Sequence, residues 1–472
     1  MRRDDAGGGK RRGLSHEERR PLNVNTPVVD FVDQYLQKDL SRLHMPGHKG
    51  QGFLGCEARD ITEIPGADVL DQACGIIAES EANAAALFQT GRTFYSTEGS
   101  SLSVKAMLAL AAGNAVQEGE RPLILAARNV HKTFLYGCAL LDLDVEWLYP
   151  EQGQSLCSCP VSPGELSRRL SALQKKPAAV YVTSPDYLGN ILDIRGLAEV
   201  CRAHSLPLLV DNAHGAYLQF LEPSLHPIAL GAAMCCDSAH KTLPVLTGGA
   251  YLHISQNAPA AYLSGARGAL SLFTSTSPSY LILQSLDLCN RYLAQGYREK
   301  LEACIRRVSI LKEELELAGW RTGGGEPLKL TLYCRESGCT GMEAAALLRA
   351  NNVEPELADW EHVVLMFTPE SREADFRRVL EALRSGPPDS RRLSAPEWPP
   401  VLPSRRMSIR RAVLAPHETV PAEQAAGRIC GAPVVSCPPA VPIAVSGEEI
   451  TEAAAALFRY YGIDNVEVVQ QA

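Results

Sequence analysis

The sequence predicts an α/β fold built on a mainly parallel sheet, and three observations lead there. The runs Pro122 to Ala126, Ala178 to Val182 and Leu206 to Val210 are apolar, of strand length, and end in polar residues. Amphipathic stretches of helical period, Ser162 to Leu173 and Ile194 to His204, lie between them. Strand–helix alternation gathers the carboxyl ends of the strands along one edge, where ligands bind. The polar residues with chemical potential in this sequence follow those ends.

Composition narrows the class. With 472 residues, 46% of them hydrophobic, the chain has material for a large core and two or three domains. Its apolar runs are shorter than the roughly 18 residues that span a bilayer. The charged, glycine-rich start has no apolar signal segment, so a cytoplasmic protein without membrane contact is expected. A net charge of -8 argues against a nucleic-acid platform. The 14 cysteines are scattered, and the close pairs Cys157/Cys159 and Cys235/Cys236 lack zinc-type spacing, so reduced thiols and no metal are expected.

Taken in order, residues 1–22 read as a disordered basic leader, and a large domain is expected over 23–295. Asn25 to Leu40 has helical period. His44 and His48 flank Pro46-Gly47, which makes the segment a structured loop and not a helical metal pair. Glu81 to Phe88 is helical. Ser96 to Ser101 turns into the helix Leu102 to Ala112; Gly99 allows close backbone approach, and Ser100 or Ser101 can cap. The free amides of such a first turn suit a phosphate ester. The strands follow, with His131 after the first, Thr183 to Gly189 after the second and Asp211 ending the third. Gly248 to Ile254 reads as a strand leaving the site, and Tyr280 to Leu293 and Tyr297 to Ala318 as helices. A smaller α/β domain is expected over 296–384, from Leu328 to Tyr333, Met342 to Ala350, Val363 to Thr368 and Glu373 to Leu383. A Pro/Arg/Ser-rich linker at 385–405 precedes a C-terminal domain, 406–472, with a helix from Thr451 to Tyr461.

The stretch Asp237-Ser238-Ala239-His240-Lys241-Thr242 carries the chemistry, together with Asp211-Asn212-Ala213-His214. A lysine in a turn beside one strand and an aspartate ending another suit pyridoxal 5'-phosphate (PLP): the amine links to the aldehyde, and the carboxylate pairs with the pyridinium nitrogen.

At this point the chain resembles the Orn/Lys/Arg decarboxylases, fold-type-I PLP enzymes with an aspartate aminotransferase-like large domain. It is similar to the short forms without an N-terminal receiver-like domain. The resemblance rests on LHMPGHKG (43–50), TFYSTEGSS (93–101), RNVHK (128–132), TSPDYLGNILDI (183–194), LLVDNAHGAY (208–217), DSAHKTLPVLTGGAYLH (237–253), TSTSPSY (274–280), AGRI (426–429) and PPAVPIAVSGEEI (438–450). It implies Lys241 as the Schiff-base lysine, Asp211 as the pyridinium partner and His131 as the imidazole stacked on the ring. It implies Gly99, Ser100 and Ser101 as the phosphate cradle, Ser238 and His240 as phosphate-side contacts, and His214 close to the cofactor. Thr276 would reach the phosphate of an adjacent subunit, which implies a homodimer with shared sites. Decarboxylation of arginine, lysine or ornithine, in service of polyamine synthesis, is the implied activity. Its basic side chain needs an acid, and Glu448, Glu449, Glu356 and Asp359 are the candidates.

Two departures stand out. Ser436-Cys437-Pro438-Pro439-Ala440-Val441-Pro442 replaces the usual Tyr-Pro-Pro-Gly-Ile-Pro pattern, and Glu98 stands where asparagine is frequent. Transamination, aldol cleavage or elimination would use the same Lys, Asp and His, because the cofactor carries the chemistry. A non-catalytic PLP-binding regulator is the reading outside enzymology.

Overall fold

The computed structural model describes residues 24–38, 40–115, 120–149, 156–388, 393, 403–432 and 441–471. The basic leader, most of the expected linker and the Ser436–Ala440 part of the altered C-terminal motif lie outside the described residues.

The central sheet has seven strands: β1 (Arg92–Ser96), β2 (Leu123–Ala127), β3 (Asp144–Leu148), β4 (Ala179–Thr183), β5 (Leu208–Asp211), β6 (Met234–Asp237) and β7 (Ala250–Ile254). Their order is β1-β7-β6-β5-β4-β2-β3. The pairs β3/β2, β2/β4, β4/β5 and β5/β6 are parallel, while β7 runs antiparallel between β6 and β1. The strands other than β7 therefore point one way, and their carboxyl ends form one edge. Both faces of the sheet are covered, as strands without clean polar alternation require. Helices Ser100–Gly113, Lys132–Leu141 and Ala260–Ser271 pack on one face, and Pro163–Ala172 and Ile194–Ala203 on the other.

The sequence reading missed two neighbouring elements. Helix Lys132–Leu141 buries Phe134, Leu135 and Cys138 but exposes Tyr136 and Leu140, so its apolar residues mark no single stripe. Strand β3 alternates half-exposed Asp144 and Glu146 with buried Val145 and Trp147, the mark of an edge strand, in only five residues. Helix Ala260–Ser271 was also missed; its small residues give little contrast between faces. The first helix spans Pro27–Leu36, shorter than expected, with a proline at its start where the missing N–H costs nothing.

The small domain carries β8 (Thr322–Gly323), β9 (Lys329–Tyr333), β10 (Leu357–Ala358) and β11 (His362–Met366) in the order β10-β11-β9-β8, all antiparallel. Helices Gly341–Ala350 and Glu373–Arg384 pack on it; the first is closed by a Thr340/Glu343 capping box. In the C-terminal region β12 (His417–Pro421) pairs with β13 (Asn465–Val469) beside helix Glu452–Tyr460. This region docks on the large domain through a buried bidentate pair. Arg128, just past β2, donates to both carboxylate oxygens of Glu448 at 2.7 Å. The guanidinium lies against the rings of Trp147 and Tyr149.

Candidate active site

A cavity of about 350 Å³ opens at the carboxyl edge of the sheet. Gly99, Ser100, Ser101, His131, Asp211, His214, Ser238, His240 and Lys241 all line it. Thr276 does not; it sits on an exposed turn.

Each side chain is placed by its strand. Asp211 closes β5 and is buried, accepting from Tyr181 Oη at 3.1 Å and from the Ala213 amide at 3.2 Å. Tyr181 lies on the neighbouring strand β4, whose Thr183 stands in register with Asp211. Lys241 follows β6 on the single turn Ala239–Thr242, and its Nζ is 3.0 Å from His214 Nε2. Burial, with the positive charges of Lys329 and Lys241 adding to it, holds His214 well below the ordinary imidazole value. Neutral His214 thus accepts on Nε2 and carries its proton on Nδ1, an atom buried without a hydrogen-bond partner. Burial also lowers the Lys241 amine, and the Asp211 carboxylate opposes that shift.

His131 caps helix Lys132–Leu141 through Nδ1, which accepts from the Thr133 amide at 3.3 Å. Thr133 Oγ1 lies 2.9 Å from the same Nδ1 and 3.0 Å from Ser101 Oγ, so one hydroxyl joins the imidazole to the turn Gly99–Ser101. The ring is open to solvent through the cavity mouth, yet its neighbours displace enough water to lower its proton affinity. Lys241 adds to that effect, and Asp211 works against it.

The turn Gly99–Ser101, expected as a phosphate cradle, differs from expectation in one respect. Gly99, not a serine, is the N-cap of helix Ser100–Gly113, and no side chain caps it. Its φ of 73° and ψ of 177° belong to glycine, and a Cβ there would meet nothing closer than the Ser101 amide nitrogen at 3.9 Å. Ser100 Oγ instead accepts from Ser238 Oγ at 2.8 Å, tying the lysine's strand end to this turn. Glu98, the departure beside it, accepts from Thr274 Oγ1 at 2.8 Å and the Ser275 amide at 2.7 Å, so it anchors the turn that carries Thr276.

Three of the four candidate acids are engaged elsewhere: Glu448 with Arg128, Glu449 with Arg406, and Asp359 with His362. Glu356 is exposed, forms no ion pair among the described residues, and lies near enough for its charge to favour protonated Lys241. Sequence reasoning passed over Tyr181, Thr133 and the buried pair Lys329–Glu326, 2.9 Å apart; their contacts with Asp211, Ser101 and the Asp186 carbonyl join segments distant in the chain.

The residues fit PLP. Among the described residues Lys241 is the only primary amine lining the cavity, with Asp211 a carboxylate facing it and the uncapped helix start an anion site. Asn129 Oδ1, Thr183 Oγ1 and His214 Nδ1, all on residues of the cavity wall, are buried without partners, as a polar occupant requires. Fold and site together define a PLP-dependent enzyme of fold type I. Comparison with known proteins places it further. The model of the "Orn/Lys/Arg decarboxylase, major domain" matches residues 26–322, and that of the "Orn/Lys/Arg decarboxylase, C-terminal domain" matches 399–466. The chain belongs to the Orn/Lys/Arg decarboxylase family, PLP-dependent decarboxylases of amino acids. It is 29% identical over 459 residues to a Bacillus subtilis arginine decarboxylase, covering 90% of this chain and 91% of the relative. It is 29% identical over 467 residues to that of Halalkalibacterium halodurans, covering 92% and 93%. The fold of the Escherichia coli constitutive lysine decarboxylase superposes with a TM-score of 0.74 at 16% identity, over 95% of this chain and 82% of that one.

Proposed function

We propose that this chain decarboxylates arginine, releasing carbon dioxide and agmatine for polyamine synthesis. The observation that carries the reading is the convergence of Lys241, Asp211 and His131 on one cavity. Relatives named arginine decarboxylase, aligned over most of both chains, favour arginine. So does Glu356, an exposed acid outside the cavity lining with no ion pair among the described residues, whose charge favours the protonated Lys241 amine and suits a guanidinium.

Bound PLP supplies the electron sink for the pair left when carbon dioxide departs. In this reading Lys241 would hold the cofactor through its amine and would supply the proton to Cα of the product. His214 Nε2, at 3.0 Å, would accept a hydrogen bond from the Lys241 amine and aim it. Asp211 holds the proton on the pyridine nitrogen, with Tyr181 and the Ala213 amide fixing the carboxylate. The His131 ring, steadied by Thr133, would pack on the bound cofactor. Gly99, Ser100 and Ser101 take the phosphate on amides and hydroxyls, with Ser238 and His240 beside it. Thr276, exposed on a turn anchored by Glu98, reaches the phosphate site of a second copy in a homodimer. Exposed Leu43, Met45, Phe53 and Leu54 support such an interface. Cys138, Cys201, Cys235, Cys236, Cys289 and Cys304 are free thiols, which supports a cytoplasmic setting.

The test is product analysis of the holoenzyme with arginine, lysine and ornithine offered separately. Agmatine with carbon dioxide, in preference to cadaverine or putrescine, is expected. A keto acid or an aldehyde in place of an amine would move the protein to transamination or aldol cleavage. Glu356→Gln is expected to raise KM for arginine by about tenfold, the loss of one charge-assisted contact.

A further inference from the structure

We propose that His226, Asp237 and His253, with the thiol of Cys235, form a buried structural site for a zinc-class divalent cation. The group lies outside the cavity. Cys235 and Asp237 alternate along β6 with Cys236, whose Sγ faces Asp211, so they project from the opposite side of the sheet. His253 stands on β7 in register with Cys235, and His226 comes from the loop before β6.

The donors have the spacing of a ligand set. His226 Nε2 is 3.1 Å and His253 Nε2 3.3 Å from Asp237 Oδ2, and all three side chains are 0% exposed. With metal–ligand bonds of about 2.0–2.1 Å, tetrahedral geometry separates nitrogen and oxygen ligands by about 3.3 Å. Three donors, on His226, Asp237 and His253, lie close together; Cys235 Sγ is 3.8 Å from His226 Nε2 and 4.0 Å from Asp237 Oδ1, not the Oδ2 that both imidazoles face, so its side chain would turn inward to complete the tetrahedron.

His226 Nε2 is hydrogen-bonded to Asp237 Oδ2 at 3.1 Å, and the second imidazole breaks that pattern. His253 Nε2 is buried without a hydrogen-bond partner although the Asp237 carboxylate is 3.3 Å away, because the ring nitrogen is not directed onto that oxygen. A tetrahedral ligand shows this geometry, since its lone pair points at the shared centre and not along an edge. The other nitrogen, Nδ1, is held by Thr93 Oγ1 at 2.8 Å, the outer partner that metal-bound imidazoles usually have. Phe88 stacks on the same ring at 4.5 Å, and Asn212 Nδ2 donates to Asp237 Oδ1 at 2.7 Å.

Charge points the same way. Asp237 is fully buried and has no lysine or arginine ion pair among the described residues, and a buried charge needs compensation. A dication bound by this carboxylate and by the Cys235 thiolate makes a neutral cluster. As the sulfur–metal bond forms, the thiol proton leaves to solvent, and nothing is oxidised or reduced. Two imidazoles, a carboxylate and a thiolate in tetrahedral array suit zinc. The ion would clamp the 221–233 loop to β6, the strand that leads into Ser238 and Lys241.

The experiment is elemental analysis of tag-free holoenzyme from zinc-supplemented culture, followed by replacement of zinc with Co(II). One zinc per chain is expected, and the cobalt protein should show tetrahedral d–d bands with a thiolate-to-cobalt charge-transfer band. His253→Gln and Asp237→Asn should each lower metal content by at least about tenfold while far-UV circular dichroism stays unchanged. Cys235→Ser should abolish the charge-transfer band. Traces of metal below stoichiometry in the wild type would overturn the proposal, as would stoichiometric metal surviving in both ligand variants. Should those variants fail to fold, the wild-type cobalt spectrum decides: no charge-transfer band means no such site.

Discussion

Lys241 and His214 face each other across 3.0 Å, and that pair sets what individual residues are asked to do. An amine that attacks must be unprotonated at working pH. Burial lowers Lys241, His214 and His131 alike. In the cofactor-free protein, the imidazole signals of His131 and His214 in NMR should therefore titrate with midpoints below 6.5; midpoints above that value would remove the neutral-imidazole argument. Asp211→Ala should still bind cofactor yet lose most turnover, because the cradle of Gly99 to Ser101 is untouched while the pyridine nitrogen loses its partner. Visible absorbance and steady-state rate check the two halves, and unchanged turnover would sink the role. At this scale much was legible. Lys241, Asp211 and His131 follow strand ends, and a strand end is visible in the sequence as an apolar run that stops. Tyr181 and Thr133 were not legible, since their roles depend on which strand lies next to which. The acids Glu448 and Asp359 looked available because the sequence does not show that Arg128 and His362 engage them. The His226–Asp237–His253 group carries no motif spacing either: antiparallel pairing of β6 with β7 brings its members together.

Among the elements, the joint between β2 and the C-terminal region is the most exposed to a single change. Arg128 and Glu448 are buried and bidentate, so removing one partner strands the other's charge. Glu448→Ala should destabilise the protein by about 3–5 kcal/mol, the usual consequence of breaking a buried pair. Because Arg128 is three residues from His131, cofactor binding should weaken as well. Thermal melts with and without PLP measure both, and a shift no larger than that of the exposed Arg306→Ala control would contradict the docking role. Elements were legible wherever apolar period and breakers agreed, as in Pro163–Ala172 and Ile194–Ala203. They were lost where faces mixed, as in Lys132–Leu141, or where an edge strand was short, as in β3.

Across the whole molecule, one buried carboxylate joins segments far apart in the chain. Asp287 accepts from the amides of Val28 and Val29 and from Ser80 Oγ, fastening the first helix to two later ones. Burial raises its carboxyl from 3.8 to about 6. The folded protein thus holds that proton more tightly than the unfolded chain. The stabilisation is complete below pH 4 and is lost as pH rises through about 6; at about 1.4 kcal/mol per pH unit, it amounts to about 3 kcal/mol. Asp287→Asn, which cannot ionise, should flatten this part of the stability profile between pH 4 and 7. An unchanged profile would place the titration elsewhere.

In the proposed function one cavity, with Lys241 at its heart, removes the carboxylate of a basic amino acid. Release of labelled carbon dioxide from carboxyl-labelled arginine, by wild-type holoenzyme and by Lys241→Ala side by side, tests it most directly. The expected result is one carbon dioxide and one agmatine per arginine consumed by the wild type, with the variant slower by at least about three orders of magnitude. A Lys241→Ala protein releasing carbon dioxide at a rate near that of the wild type would contradict the account.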